Sequence, residues 1–361
     1  MSQDIATPSP VRVLVVDDSA FMRTALSRMI VSESGFEVVA TACSGSDALE
    51  KIASLDPDVV TLDIEMPGMN GLETLHCIMN QFSRPVIMVS SSTEKDADNT
   101  FNALAAGAFD YVPKHLSSAS LDILHIRQDL IAKIRAAAQS RKPGSSDVCF
   151  RKPPQSSVLQ TWDFTTAPAI VALGTSTGGP KALQEILPLF PPDLSVPILI
   201  VQHMPAGFTG PFAQRMNALC SITVCEATHG EPIQTGVVYI APAGTHMTVE
   251  RPSDSRAIIR LDTHPEDYQH IPSVDVLMNS VAEAFRNLAL GIIMTGMGSD
   301  GAEGMKAIHR QGGLTIGQDE ASCTVYSMPR ACAELGVLTH LVPLSEIPAH
   351  ILQATRYRRR A

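Results

Sequence analysis

A serine at position 176 lies in the glycine-rich segment 174–180 (GTSTGGP), whose spacing matches the G-x-S-x-G pattern of nucleophilic serines. The apolar run 169–173 before it predicts a buried strand, and residues 181–187 after it predict a helix. A serine on such a sharp turn is lifted clear of the sheet, and the free N–H groups at the helix start can hold an oxyanion. A helix cap or a phosphate cradle is the alternative interpretation of the same segment.

Two further residues can complete a catalytic triad with Ser176. His203 follows the apolar run 196–201, and Asp300 lies in the segment that follows the run 289–294. The carboxyl ends of parallel strands meet at one edge of a sheet, so we expect the three side chains to lie together. Histidine is the usual base for a serine nucleophile, and an acid fixes its tautomer. The order Ser, His, Asp differs from the Ser, Asp, His order of α/β-hydrolases, which argues against that fold.

Other residues of the same types leave this assignment open. A single histidine is more often structural than catalytic, and Asp300 could simply cap the helix predicted after it. His246, in the segment AGTHM at 243–247, is the strongest rival base and could line the pocket. The remaining alternatives are His229, His264 and His270 for the base, and Asp262, Asp267 and Asp275 for the acid.

A second group of polar residues ends the strands predicted in the first part of the chain. Asp17 and Asp18 follow the first strand, Asp63 the third, Ser90 and Ser91 the fourth, and Lys114 the fifth. Three carboxylates repel one another and need a cation, and oxygen ligands suit Mg²⁺. An aspartate neutralised by a metal and flanked by a lysine can accept a phosphoryl group, which a nearby hydroxyl can sense. Each aspartate alone could equally be a turn or helix cap.

Short apolar runs alternate with helical stretches between residues 11 and 138. The predicted strands are 11–16, 38–42, 59–62, 85–89 and 110–112, and the predicted helices are 20–31, 46–54, 72–81, 101–106 and 121–138. Five β/α repeats predict a five-stranded, parallel, doubly wound sheet with helices on both faces, a flavodoxin-like α/β fold.

The second half of the chain predicts another α/β domain. Residues 139–167, rich in Pro, Ser and charge, predict a flexible linker before it. Alternating strands and helices then predict a doubly wound domain with a mostly parallel sheet. Residues 236–242 and 247–249 predict two strands around a turn. The other predicted strands are 169–173, 196–201, 222–226, 257–261, 289–294 and 314–317, and the helices are 181–187, 209–219, 273–285, 302–310 and 329–335.

The composition narrows the functional classes. A chain of 361 residues is long enough for two domains, and its formal net charge of −10 disfavours general affinity for nucleic acid. Its seven cysteines form no C-x-x-C pair, which predicts a reducing compartment without disulfides or a zinc site. No run approaches the roughly 18 apolar residues of a membrane span, and no signal pattern begins the chain. We therefore expect a cytoplasmic protein that does not insert into a membrane.

Four segments in the first part of the chain form a recognisable set: VVDDS at 15–19, LDIEMPGMNG at 62–71, MVSS at 88–91 and YVPK at 111–114. With them, residues 11–135 resemble the receiver domain of two-component response regulators. The resemblance implies a histidine kinase as phosphodonor and Asp63 as the phosphorylated residue. It also implies Mg²⁺ bound by Asp17, Asp18, Asp63 and the backbone carbonyl of Glu65.

The same resemblance implies roles for three residues around the phosphorylation site. Ser90 is the switch hydroxyl, Lys114 is the charge partner, and Tyr111 is the aromatic side chain that changes rotamer. His115 stands where the family usually has proline, so the local peptide geometry stays open.

Four segments in the second half form another set: GTSTGGP at 174–180, QHMPAGFT at 202–209, YIAP at 239–242 and MTGMGSDG at 294–301. With them, residues 168–350 resemble the catalytic domain of the chemotaxis protein-glutamate methylesterase family. The resemblance implies Ser176 as nucleophile, His203 as base and Asp300 as the orienting acid, with backbone N–H groups of Thr177 and Met297 holding the oxyanion. Ser299 stands where the family commonly has asparagine. The predicted domains are 10–138 and 168–355, joined by the linker 139–167.

The two resemblances together imply a function. It is hydrolysis of glutamate methyl esters on methyl-accepting chemotaxis receptors and deamidation of specific receptor glutamines, with no cofactor for the esterase reaction. Both acyl transfers pass through a tetrahedral oxyanion, so one site can serve both. We expect the unphosphorylated receiver to inhibit the esterase and phosphorylation to activate it. Two other classes stay open: a response regulator whose output domain binds DNA, which the acidic charge disfavours, and one whose output domain is a non-catalytic binding module.

Overall fold

The computed structural model describes residues 9–90, 94–114, 120–140, 166–251, 256–266 and 268–356, with the backbone alone at 94–96 and 120–125. The chain divides into two compact units, Met1–Pro153 and Pro154–Ala361. Most of the predicted linker lies outside the described residues, as do Ser91, His115 and Asp267. The predicted domain bounds stay a prediction.

The first unit is a five-stranded parallel sheet with helices between its strands. The strands are β1 (Val11–Val16), β2 (Phe36–Ala42), β3 (Val59–Asp63), β4 (Val86–Ser90) and β5 (Asp110–Pro113). The helices are α1 (Ala20–Val31), α2 (Gly45–Leu55), α3 (Gly71–Gln81), α4 (Glu94–Ala105) and α5 (Ser120–Ser140). The strand order is β2-β1-β3-β4-β5, so the predicted flavodoxin-like sheet is confirmed.

Strands β3 and β4 are buried along their whole length. Such strands need apolar side chains because helices cover both faces of the sheet. A polar residue at the end of such a strand therefore indicates a candidate functional site. Asp63 ends β3 and Ser90 ends β4. A capping box then fixes the start of α3, where Asn70 and Glu73 each accept a hydrogen bond from the other's backbone N–H at 2.9 and 3.0 Å.

The second unit contains a larger parallel sheet. Its strands are β6 (Ile170–Thr175), β7 (Ile198–Gln202), β8 (Thr223–Glu226), β9 (Val237–Ile240), β10 (His246–Glu250), β11 (Ile258–Asp262), β12 (Ala289–Ile293), β13 (Leu314–Gln318) and β14 (His340–Val342). Its helices are α6 (Gly179–Ile186), α7 (Thr209–Leu219), α8 (Val274–Phe285), α9 (Ala302–Arg310), α10 (Ser327–Glu334) and α11 (Ile347–Ala354). Seven strands pair in parallel in the order β14-β13-β12-β6-β7-β9-β8, which confirms the predicted doubly wound domain.

The two strands predicted around a turn, at 236–242 and 247–249, are present as β9 and β10, but they belong to different sheets. β9 pairs in parallel with β7 and β8 inside the large sheet. β10 instead pairs with β11, antiparallel, in a separate two-stranded sheet. The short connection between β9 and β10 therefore carries the chain from one sheet to the other, which local sequence cannot distinguish from a hairpin.

The largest boundary difference lies at the start of α4, and two elements are absent from the prediction. α4 begins at Glu94, seven residues before the predicted start at Phe101, because its first turns are polar and lack an apolar period. Neither β14 nor α11 is predicted. β14 has only three residues, one of which, Leu341, is 48% exposed, so it carries no strand signal.

The central strands β6, β7 and β12 are buried along their whole length and are the strands whose ends carry the predicted triad. Their apolar side chains join a core that includes Val274 and Leu277 of α8. Among the described helices, none is both long and apolar enough to cross a membrane.

Candidate active site and phosphorylation site

The register of three neighbouring strands brings Ser176 next to His203. Thr175 at the end of β6 pairs with Gln202 at the end of β7. Ser176 and His203 are the residues that directly follow these two strands. The His203 N–H donates to the Thr175 carbonyl at 3.2 Å. The Ser176 N–H donates at 3.0 Å to the carbonyl of Thr295, just beyond β12. Three strand ends therefore meet at Ser176, as the sequence predicts.

The turn after Ser176 depends on glycine. Gly178 has a φ of +77°, a left-handed conformation that side chains disfavour, and it is the N-cap of α6 without a side-chain hydrogen bond. Ser176 therefore does not cap this helix. Gly296 lies against the serine, since a Cβ there would come within 2.9 Å of Ser176 Cβ. Ser176 itself is half-buried at the strand-to-helix turn.

Asp300 pairs with His203 and is held by three further donors. The His203 Nε2 lies 2.8 Å from Asp300 Oδ2. The backbone N–H of Val274 also donates to Oδ2, at 2.8 Å. The Ser273 hydroxyl and the Asp275 N–H donate to Oδ1 at 2.8 and 3.0 Å. Four donors thus converge on one carboxylate.

This environment keeps Asp300 ionised and sets the tautomer of His203. Burial alone would raise the pKa of Asp300, but the hydrogen bond and charge of His203 and the N–H groups of Asp275 and Val274 hold that pKa well below its usual range. An ionised carboxylate only accepts hydrogen bonds, so His203 Nε2 carries the proton. Nδ1 is then the basic nitrogen, and in the described part of the chain it is buried without a hydrogen-bond partner.

The interpretation of Asp300 as the cap of the helix after it is wrong. That helix, α9, begins after Gly301, its N-cap, with no side-chain cap hydrogen bond. Asp300 instead accepts hydrogen bonds from the first turn of α8, whose N-cap is Ser273. The positive end of the α8 dipole adds to the stabilisation of the carboxylate charge.

His246, the strongest rival base, holds a loop together. It is 0% exposed, its Nδ1 accepts the Ser273 N–H at 3.1 Å, and its Nε2 lies 3.0 Å from the Pro265 carbonyl oxygen. Burial lowers the pKa of His246, so the neutral form that these two hydrogen bonds require is favoured. The side chain therefore fixes the segment between β11 and α8.

Among the other rivals, only His270 and Asp275 contact the predicted triad in the described structure. The His270 ring stacks on His203 with centroids 4.1 Å apart and an interplanar angle of 22°. Asp275 donates its N–H to Asp300, while its own carboxylate accepts the Gly304 N–H at 2.7 Å. The exposed residues of the alternative set are His229, His264 and Asp262.

Two backbone N–H groups near Ser176 have no acceptor among the described residues. The Ser176 N–H is already donated to Thr295. Those of Thr177 and Met297 donate to no group among the described residues. Thr177 immediately follows Ser176. Met297 immediately follows Gly296, which packs against Ser176. The oxyanion roles of Thr177 and Met297 stay predictions that this geometry supports.

The first unit brings the predicted acidic cluster together. Asp17, Asp18 and Asp63 each offer an oxygen within 4.8 Å of the others. Asp17 and Asp63 are buried, whereas Asp18 is exposed. Lys114 Nζ lies 2.6 Å from Asp63 Oδ2 and 3.2 Å from Asp17 Oδ2. Four predicted side chains therefore meet at the carboxyl edge of the sheet.

The charges of this cluster fit a divalent cation. Burial raises the pKa of Asp63 to about 6, and Asp17 adds to this effect, while Lys114 acts against it. Burial alone would lower the pKa of Lys114, but Asp63 and Asp17 raise it. One ammonium therefore faces several carboxylates. Hard oxygen donors on one exposed and two buried side chains are the donor set that Mg²⁺ prefers.

The remaining receiver candidates lie around this cluster. The Glu65 N–H donates to Asp63 Oδ1 at 3.1 Å, which places residue 65 beside the acids. Ser90 is buried and accepts a hydrogen bond from Thr100 Oγ1 at 2.8 Å. Tyr111 is 3% exposed, so its ring points inward. The switch roles of Ser90 and Tyr111, and the carbonyl ligand of Glu65, stay predictions.

Several residues that support the two sites have no predicted role in the sequence. Ser273 was only the start of a predicted helix, although a serine there is a typical N-cap. Gln202 is 1% exposed and its amide donates to the carbonyls of both Ser176 and His203 at 3.0 Å. Lys133 lies 5.3 Å from the centre of the Tyr111 ring. No local pattern assigns a task to Gln202 or Lys133, because their contacts depend on register and tertiary packing.

A flavodoxin-like sheet with an acidic edge and a second sheet with a Ser-His-Asp edge define a response regulator with an α/β esterase-type output domain. The family profile described as "Response regulator receiver domain" matches residues 13–124, and that described as "CheB methylesterase" matches residues 171–351. The chain belongs to the protein-glutamate methylesterase/protein-glutamine glutaminase family.

Two bacterial relatives match nearly the whole chain. A protein of Bacillus subtilis (strain 168) named "Protein-glutamate methylesterase/protein-glutamine glutaminase" is 43% identical over 97% of this chain and 99% of its own length. A protein of Geobacillus kaustophilus (strain HTA426) with the same name is 45% identical over 95% of this chain and 98% of its own. The solved Thermotoga maritima CheB methylesterase catalytic domain is 34% identical, with a TM-score of 0.50, over 52% of this chain and 99% of that one.

Proposed function

We propose that this protein hydrolyses glutamate methyl esters of methyl-accepting chemotaxis receptors, giving glutamate and methanol, and deamidates specific receptor glutamines. Family membership and the names of the relatives support the reaction. The observation that carries the mechanism is the His203–Asp300 pair, which leaves Nδ1 of His203 as the basic nitrogen. The strand register brings the backbone of His203 beside that of Ser176.

The chemistry is acyl transfer through an ester intermediate. Ser176 Oγ attacks the side-chain carbonyl of the receptor glutamate while His203 Nδ1 takes the hydroxyl proton. The N–H groups of Thr177 and Met297 stabilise the tetrahedral oxyanion, and Asp300 stabilises the imidazolium. The imidazolium then protonates the leaving methoxide as methanol, or the leaving amide nitrogen as ammonia. Water, activated by the same imidazole, releases the glutamate.

The receiver regulates this reaction. A histidine kinase supplies the phosphoryl group to Asp63, and Lys114 balances part of its charge. Asp17, Asp18, Asp63 and the carbonyl of Glu65 would hold Mg²⁺, which would neutralise charge on the phosphoryl oxygens. Phosphorylation relieves inhibition and raises the esterase rate. The match of residues 13–124 to the receiver family and the clustering of the acids support this proposal.

The test is methanol release from methylated receptor membranes, with and without acetyl phosphate and Mg²⁺. We expect release above that of membranes without the protein, and a higher rate when the phosphodonor is present. Absence of release under both conditions, with Asp63 shown to be phosphorylated, would refute the esterase. Equal rates under both conditions would refute activation by the receiver.

A further inference from the structure

Thr295 contacts three consecutive residues of the nucleophile turn. Its carbonyl oxygen accepts the Ser176 N–H at 3.0 Å and the Thr175 hydroxyl at 2.8 Å. Its own hydroxyl lies 2.9 Å from the Thr177 carbonyl oxygen, to which it donates. Thr295, which lies just beyond β12, therefore makes hydrogen bonds to the three consecutive residues 175, 176 and 177.

Thr295 is itself fixed from the other side. Its N–H donates to Gln318 Oε1 at 2.8 Å, and its hydroxyl accepts the Val325 N–H at 3.0 Å. The side chain is 1% exposed. All of its polar groups are hydrogen-bonded in a buried setting, where breaking a bond leaves a desolvated donor or acceptor. Its position relative to the serine turn is therefore tightly determined.

This position connects the two candidate oxyanion donors. The hydroxyl of Thr295 fixes the carbonyl of Thr177, and Met297 lies two residues further along the same segment. The Thr177 and Met297 N–H groups must converge on one oxygen atom, so their separation has to be set to a fraction of an ångström. The hydroxyl groups of Thr295 and Thr175 are both direct side-chain links between the two segments.

We propose that Thr295 is a positioning residue that sets the nucleophile turn and the spacing of the oxyanion donors. It acts through Ser176 and Thr177 and contacts no substrate. The inference rests on the proposed serine-hydrolase function of Ser176. It adds a residue whose hydroxyl contributes to the rate without taking part in proton transfer.

The chain offers a closely matched control for the variant Thr295→Val. Thr315 in β13 is also fully buried in the second unit. Its hydroxyl donates to the Val337 carbonyl at 2.6 Å and accepts the Thr339 N–H at 2.9 Å, the same pattern as in Thr295. Thr315 lies near the amino end of its strand, opposite the edge that carries Ser176. Thr315→Val therefore removes an equivalent hydrogen-bonding group away from the site.

The experiment uses the full chain and two readouts. The first is the rate at which a fluorophosphonate probe labels Ser176, with Ser176→Ala as blank, because this reaction needs the nucleophile and the oxyanion donors whatever the natural substrate. The second is kcat and KM for methanol release. We expect Thr295→Val to lower the labelling rate and kcat by about 10- to 100-fold with little change in KM. Thr315→Val should stay within about twofold of wild type, and Thr295→Ser, which keeps the hydroxyl, should recover most of the rate.

Melting temperatures separate positioning from stability, because both valine variants should lose comparable stability. Equal labelling rates in Thr295→Val and Thr315→Val would overturn the inference, as would failure of Thr295→Ser to recover. Absence of fluorophosphonate labelling in wild type would overturn it too. Labelling of wild type without methanol release would refute the proposed substrate, while the comparison of the variants would still decide the role of Thr295.

Discussion

At the scale of single residues, Asp300 combines two tasks in one carboxylate. It accepts from His203 and from the first turn of α8, so each oxygen faces two donors. The same contacts that orient the base therefore also anchor the acid. A group that must donate a hydrogen bond fits this position poorly, because the Val274 and Asp275 N–H groups can only donate.

The variant Asp300→Asn tests this arrangement. If the new NH₂ group faces His203, Nε2 must become the acceptor and Nδ1 must carry the proton, which leaves no base for Ser176. If the NH₂ group instead takes the place of Oδ1, it faces the Asp275 N–H, and two donors then oppose each other. We expect kcat to fall by about 10³- to 10⁴-fold, with the fold retained. Steady-state methanol release and circular dichroism measure the two quantities.

The control for this variant is Asp262→Asn. Asp262 is an exposed acid of the same unit that accepts the His264 N–H at 3.0 Å. An asparagine oxygen can accept the same hydrogen bond, so the rate should match wild type. A rate above about one tenth of wild type in Asp300→Asn would show that Asp300 does not fix the tautomer of His203.

At the scale of elements, helices α8 and α9 cap each other. Asp300 immediately precedes Gly301, the N-cap of α9, and accepts the backbone N–H groups of the first turn of α8. Asp275 lies in the first turn of α8 and accepts the Gly304 N–H in the first turn of α9 at 2.7 Å. The carboxylate beside the start of α9 therefore binds the start of α8, and a carboxylate of α8 binds the start of α9. This exchange brings two like charges together, one of which is the candidate catalytic acid.

The charge of Asp275 should make the fold sensitive to pH. Burial raises the pKa of Asp275 to about 6, and the nearby charge of Asp300 adds to it. A folded-state pKa above the ordinary value means that the contribution to stability is present at low pH and is lost as pH rises through about 6. Asparagine does not titrate. The melting temperature of Asp275→Asn minus that of wild type should therefore increase between pH 4.5 and pH 7.5, roughly the span of this titration.

The matched control is Glu283→Gln, an exposed acid on the same helix. The melting temperature of Glu283→Gln minus that of wild type should stay constant over the same pH range. If the two variants gave parallel profiles, Asp275 would not be the group that titrates near neutrality, and the raised pKa would have no consequence for stability.

The elements themselves were largely readable from sequence. Apolar runs between turn residues predict β1, and an apolar period predicts α1, α7 and α9, all with the bounds observed. The pairing of β10 with β11 was not readable, because both a hairpin with β9 and a second sheet satisfy the same local pattern. Strand pairing is a non-local choice that depends on which side chains the rest of the fold covers.

The candidate sites show the same division. Residues at the ends of buried strands, such as Ser176, His203 and Asp63, could be selected because a polar residue after an apolar run stands out. Gln202 and Thr295 lie in equivalent positions but could not be given a task. Their hydrogen bonds join neighbouring strand ends, so they depend on register and on the path of the connecting loops, neither of which a single sequence supplies.

At the scale of the whole molecule, each unit carries its own site at the carboxyl edge of its own parallel sheet. The acidic cluster is built from β1, β3 and β5, and the Ser-His-Asp group from the ends of β6, β7 and β12. No described residue belongs to both sets. Phosphorylation and ester hydrolysis should therefore be chemically separable, and only the regulation should link them.

Two substitutions in the full chain test this separation. Ser176→Ala removes the nucleophile and should abolish methanol release, while acetyl phosphate and Mg²⁺ should still phosphorylate the protein to the wild-type level. Asp63→Asn removes the phosphoacceptor and should keep the basal rate of methanol release without stimulation by the phosphodonor. Phosphate-affinity electrophoresis and methanol assays report the two properties. Stimulation that persisted in Asp63→Asn would place the phosphoacceptor elsewhere, and full activity in Ser176→Ala would remove this serine from the mechanism.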